Sequence, residues 1–298
     1  MPRRPTICPY LLKPLQPAQR SNEHVIPDAL GGPEGFSVEA DRTENSKFGE
    51  GLDGAFVNDD LLKAAAASYG IESRSGVVTL QVKGELEFED KKIAANIEHG
   101  GTGRPTLHPR IPVSRIDEGY EIYADERKLD KHVKDVVRNN RAKGVDLNAV
   151  NRRPLRAAFR GRISHSMFAK TKGLLKIGYL ALAYTFGDDF LNSNAGTTFR
   201  SGIASKNSSE LDQTELDNAP SLFRSLPYED SARHVIAAVR FENCYSVYVS
   251  LFGNEVFTRQ FSYPLAVQAL QSAQGEIFVV DAKKKTFSNR QFDPGFCL

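Results

Sequence analysis

The residues best equipped for chemistry in this 298-residue chain crowd near its start. The stretch Asn22-Glu23-His24-Val25-Ile26-Pro27-Asp28-Ala29-Leu30-Gly31-Gly32 sets a carboxylate beside an imidazole. After a short gap follow Glu44-Asn45-Ser46-Lys47-Phe48-Gly49 and Leu52-Asp53. Imidazole ionises nearest neutral pH, so it is the side chain best suited to take a proton from water. Carboxylate and carboxamide oxygens are hard donors that suit Mg²⁺ or Mn²⁺, and such an ion polarises a phosphate and stabilises a departing oxygen. Side chains of these types point to hydrolysis of a phosphodiester.

The whole pattern, Glu-His followed by Ile-Pro, Leu-Gly-Gly and Asn-Ser-Lys-x-Gly, resembles the HNH endonuclease family over roughly residues 7–60. The resemblance implies a ββα-metal module with Glu23 as acidic metal ligand, His24 as general base and Asn45 as the ligand carried by the helix. It implies metal-dependent cleavage of DNA, with RNA as the less favoured substrate, in a setting such as restriction or phage defence. Members close to this pattern carry two Cys-x-x-Cys pairs for a structural zinc. Here those positions are Cys8 and Leu11, then Asp41 and Glu44, so a four-cysteine zinc site is excluded. The family's middle asparagine, which fixes the histidine ring, falls near Phe36 or Ser37; the Ser37 hydroxyl or a backbone carbonyl would have to serve instead. Adjacent strand residues face opposite ways, so Glu23 and His24 share a site only if the strand twists there or the phosphate lies between them.

The elements that must hold these residues follow from local signals. His24–Ile26 and Phe36–Val38 are β-prone and flank a Gly31-Gly32-Pro33 turn. Asp41 suits a helix N-cap with Glu44 three positions on, which starts a helix ahead of Asn45. For Asn45 the competing role is capping, and for Lys47 a plain exposed lysine competes with a DNA phosphate contact. A second helix is expected from Asn58 to Tyr69, closed by Gly70. Alternation from Gly76 to Asp125 predicts strands, and Glu126–Arg141 an amphipathic helix. Ser164–Leu191 predicts a long helix or helix pair; its 13-residue apolar run, Leu174–Phe186, contains Lys176 and Gly178 and is too short to cross a bilayer. Strands are expected at Val235–Phe241, Tyr245–Leu251, Val256–Phe261 and Ile277–Val280, with a turn at Gly253-Asn254.

Forty per cent apolar and 26% charged residues describe a folded globular chain, not a disordered one. The expected class is α+β: a ββα-metal module over residues 1–70, then a larger mixed α/β region over 71–298 with antiparallel strands and a buried helix. The net charge of +2 hides a basic block, residues 127–172, with 14 Lys/Arg against 3 Asp/Glu. Its run Arg152, Arg153, Arg156, Arg160 and Arg162 contains no acid and is the expected phosphate-binding stripe. Three widely spaced cysteines and no visible export signal make the cytoplasm the expected compartment, with no membrane partner and a homo-oligomer left open. A rival of another class is a catalytically decayed nucleic-acid-binding or sensing protein, suggested by the missing zinc pairs and the displaced middle asparagine.

Overall fold

A computed structural model describes residues 4–88, 91–101, 104–110, 113–116, 119–143, 157–214, 216, 231–242, 244–264 and 273–293. The chain is of mixed α+β class and divides into a core unit, residues 1–78 with 165–298, and an inserted unit, residues 79–164. The boundary expected at residue 70 is therefore replaced by two. The reason is that the N-terminal segment builds its core from the C-terminal half and does not close on itself.

In the core unit β1 (Arg20–His24) pairs antiparallel with β2 (Ser37–Asp41), and α1 (Arg42–Phe48) follows directly. Asp41 starts α1 as expected: its carboxylate accepts from the amides of Thr43 at 3.0 Å and Glu44 at 3.2 Å, two donors with no intrahelical partner. The loop between the strands is tightly folded. At Gly32 a Cβ would stand 1.8 Å from the Ile26 carbonyl oxygen, so only glycine fits. A π-helical turn, Gly49–Asp53, leads from α1 to α2 (Gly54–Val57); then come α3 (Asp60–Ser68) and the short pair β3 (Glu72–Ser73) and β4 (Gly76–Val77).

The inserted unit holds β5 (Thr79–Phe88), β6 (Lys91–Gly100), β7 (Thr106–Pro109), β8 (Val113–Ile116), β9 (Gly119–Ile122), α4 (Glu126–Arg141) and β10 (Ala158–Gly161). Its antiparallel sheet has the order β10-β5-β6-β7, with β8 and β9 as a separate hairpin. Leu86, Phe88 and Ala95 form a small core, with Ile93, Leu107, Tyr123 and Phe159 packed on it.

The chain then re-enters the core unit as α5 (Met167–Phe186), α6 (Asp188–Leu191), α7 (Asn194–Ala204) and α8 (Ser208–Asp212). The expected long helix breaks at Gly187, whose φ of 61° and ψ of −140° suit glycine. Last come β11 (Arg233–Phe241), β12 (Cys244–Leu251), β13 (Thr258–Tyr263), β14 (Gln274–Asp281) and β15 (Thr286–Gln291), antiparallel in the order β13-β12-β11-β14-β15. Helix α5 is the axis of the unit. Leu174, Leu175, Ile177, Tyr179 and Leu180 are almost wholly buried, because the helix packs against β11, β12 and β13 and also meets β2 and α2. Among the described residues no helix is long and apolar enough to cross a membrane.

Buried contacts bind the loop after β1 to the C-terminal sheet. Buried His234 donates through Nε2 to the Leu30 carbonyl at 2.8 Å and accepts at Nδ1 from the Phe252 amide at 3.2 Å. Phe36 stacks on Phe287 and Phe278, with ring centroids 4.9 and 4.7 Å away.

Candidate functional site

Glu23 and His24 lie next to each other on β1, and the pleat sends their side chains into different surroundings. Glu23 is buried under α5. Its Oε1 is 2.6 Å from Lys176 Nζ, and both side chains are only 3% exposed. The same Nζ lies 2.6 Å from Asp53 Oδ2 at the end of the π-helical turn. Phe48 offers its ring face to this ammonium at 5.5 Å, and Tyr10 stacks on Phe48 at 4.4 Å. The buried Tyr10 hydroxyl lies beside the Glu23 carboxylate, and neither it nor Glu23 Oε2 has another hydrogen-bond partner. Burial raises the Glu23 carboxyl above its ordinary range, against the pull of Lys176.

His24 sits instead among Arg74, Asp28, Glu34 and the Pro33 carbonyl. Burial, helped by Arg74, holds its imidazole below the usual histidine range, so the ring is neutral at pH 7. Its Nδ1 is buried with no hydrogen-bond partner. The opposing strand places Ser37 across from His24, yet the Ser37 hydroxyl donates to the Glu34 carbonyl at 2.8 Å. Ser37 therefore does not hold the ring. Asp28 is engaged by Lys285 Nζ at 2.6 Å and by the Arg74 amide at 2.8 Å, which fixes this side of the loop to the β14–β15 turn.

Asn45 faces β1 from α1. Its Nδ2 donates to Ser21 Oγ at 3.0 Å and to the Asn22 carbonyl at 3.1 Å, so the carboxamide braces the helix against the strand. Ser21 and Glu23 share one face of β1, which puts Asn45 and Glu23 on the same side and His24 on the other. The three residues expected to form one site thus separate into a Glu23–Asn45 side and a His24 side.

Cys8 reaches the start of α1, where its Sγ accepts from the Asp41 amide at 3.3 Å, and with Leu15 and Ala40 it makes a small apolar cluster. Asp41 and Glu44 are engaged locally, Asp41 as the cap and Glu44 with Lys47 Nζ at 2.6 Å.

A divalent ion does not fit the Glu23–Asn45 side as it is built. Glu23 is closed off from solvent, whereas a catalytic ion needs open positions for water and phosphate. The Lys176 ammonium already lies between the two carboxylates that would be its ligands. Among the described residues no three His, Cys, Asp or Glu side chains are grouped to hold a metal.

Of the expected nucleic-acid contacts, Arg152, Arg153 and Arg156 lie outside the described residues. Arg162 is exposed, and Arg160, 77% exposed, pairs with Glu87 at 2.7 Å. Lys47 is exposed. Helix α4 adds a stripe that was less conspicuous in the sequence. At 3.6 residues per turn, Arg127, Lys131, Lys134, Arg138 and Arg141 fall within about a quarter of its circumference, and all five are exposed. Leu129, Val133, Val136 and Val137 occupy the neighbouring face and are half-buried. Lys176 and Asp53 are the site residues that sequence reasoning missed. The single lysine inside the apolar run Leu174–Phe186 was the available signal, since a buried ammonium requires a buried partner.

Compared with known proteins, the chain matches no protein-family model, no curated protein and no solved structure.

Proposed function

We propose that this chain is a nucleic-acid-binding protein whose N-terminal nuclease-like segment serves as scaffold and does not cleave. The observation that carries this reading is the one-sided basic stripe on α4. From Arg127 to Arg141 it spans about 20 Å, 14 steps of about 1.5 Å each, long enough to lie across a groove and touch phosphates on both of its sides. Arg162 and the expected arginines at 152, 153 and 156 add charge of the same sign in the same unit. The separation of His24 from Glu23 and the ammonium on Glu23 support the non-cleaving half of the proposal.

A labelled 20-base-pair duplex titrated with the protein at several salt concentrations tests it. With about five phosphate contacts, log K should fall against log salt with a slope of roughly −4 to −5, and Lys131→Ala with Lys134→Ala should flatten it by about 2. Binding with no salt dependence, or a slope unchanged in the double variant, would overturn the assignment of the stripe.

A second reading, the DNA endonuclease that the motif implies, draws support from one feature. His24 is held as the neutral imidazole that a general base needs. Supercoiled plasmid incubated with Mg²⁺ or Mn²⁺ separates the two. Cutting by the wild type that His24→Ala abolishes favours the enzyme, and intact plasmid under conditions where the duplex binds favours the binding protein.

A further inference from the structure

We propose that Lys176 is the resident cation of the Glu23–Asp53 site, taking the place a divalent ion would occupy, so that the site is metal-independent and loss of the ammonium uncovers a divalent-cation site. The inference stands on the core unit alone and does not depend on nucleic-acid binding.

Three observations meet here. One nitrogen lies 2.6 Å from an oxygen of each of two carboxylates, Glu23 Oε1 and Asp53 Oδ2. These oxygens come from separate elements, a strand and a π-helical turn, so they are held by the fold and not by sequence adjacency. Finally, Glu23 Oε2 is a buried acceptor beside the buried Tyr10 hydroxyl and touches no second cation, in a side chain that is 3% exposed. Two carboxylates and one ammonium leave the group one positive charge short, and burial, with a smaller push from Asp53, raises the Glu23 carboxyl. An ammonium satisfies carboxylate oxygens much as a hard ion does, but it has no vacant position for a phosphate. Its stem also fills the space that an ion would leave to water. Asn45, on the same side of β1, already spends its Nδ2 on Ser21 and Asn22, which leaves its oxygen as the remaining hard donor of the residues named.

Shortening the side chain to Lys176→Ala removes both charge and stem and leaves Glu23 and Asp53 facing a gap. Two carboxylates with room for water are a hard-ion site. The probe is Mn²⁺ alone, added to the full chain after treatment with EDTA. Binding is followed by the Mn²⁺ paramagnetic resonance signal and by thermal unfolding.

For the wild type, neither EDTA nor Mn²⁺ should move the midpoint. Lys176→Ala should bind one Mn²⁺ about tenfold tighter than the wild type or better, and the ion should raise its midpoint. Glu23→Gln in that background should abolish the binding. If Lys176→Ala is unfolded in EDTA, Mn²⁺ should restore its native circular dichroism, because ligand binding to the folded form pulls the equilibrium. Mn²⁺ binding to the wild type that Glu23→Gln removes would overturn the proposal. So would a Lys176→Ala protein that takes up no Mn²⁺, whether folded or unfolded at the start.

Discussion

Replacing Lys176 by methionine keeps most of the stem and deletes the charge, which turns the central contact of the core unit into a measurable quantity. Glu23 and Asp53 each lose a 2.6 Å charge-assisted contact. Asp53, with a side chain 19% exposed, can recover some hydration, but Glu23 at 3% cannot. Breaking a buried pair from one side typically costs about 3–5 kcal/mol, because the remaining charge is stranded. Lys176→Met should therefore lower stability by about that much at pH 7. Glu23→Gln added to it removes the stranded charge, and the double variant should regain about 2 kcal/mol, a coupling of the size seen for residues in direct contact. The deficit should also shrink as the pH falls. The Glu23 carboxyl is raised by burial even with the lysine present, so without it protonation relieves the strain at still higher pH. Urea unfolding of the wild type, both single variants and the double variant, followed by circular dichroism at two pH values, supplies the cycle. A loss below about 1 kcal/mol for Lys176→Met, or single losses that simply add, would refute the reasoning.

Other outcomes follow from single contacts. Burial lowers His234 from 6.5 to about 4, so its neutral form is favoured in the fold. Its contribution is complete above pH 6.5, declines as the pH drops toward 4 and is gone below that, a loss of about 3 kcal/mol from this group. His234→Gln should flatten the acid limb of the stability profile, and an unchanged limb would count against the assignment. Asp41→Ala removes the acceptor of two amides at the start of α1 and should cost about 1 kcal/mol, while Asp41→Asn should cost less; equal thermal shifts for the two would show that the cap is not the cause. Gly32→Ala forces a methyl onto the Ile26 carbonyl and should cost more than the usual 1–3 kcal/mol of overpacking, with an unmoved melting midpoint as the contrary result.

The local elements were legible because their signals are local. Asp41 before the helix, Gly32 of the β1–β2 loop, and the amphipathic stripe over 126–141 each act through neighbours a few residues away. Four of the five strands of the C-terminal sheet were likewise readable, with the turn at Gly253, whereas the edge strand β15 carried no comparable signal. Two readings failed for the complementary reason. The division at residue 70 assumed that the N-terminal segment closes on itself, whereas Phe36 packs on Phe278 and Phe287, and Leu30 is held by His234. Serine at position 37 stands opposite His24, but its hydroxyl turns to the Glu34 carbonyl, a choice that depends on the course of the loop.

The inventory of the candidate site is written in the sequence: an acid, an imidazole and a carboxamide at fixed positions on a strand and a helix, without the Cys-x-x-Cys pairs of a four-cysteine zinc site. Tertiary structure decided what that inventory is used for. Alternation along β1 sends Glu23 and His24 to different neighbours, and α5, far downstream, delivers Lys176 to Glu23. In the sequence that lysine is only an interruption in an apolar run. The cost of burying a charge makes it a partner, because an ammonium enclosed among apolar side chains persists only where carboxylates meet it, and which carboxylates those are is set by packing between segments remote in the chain.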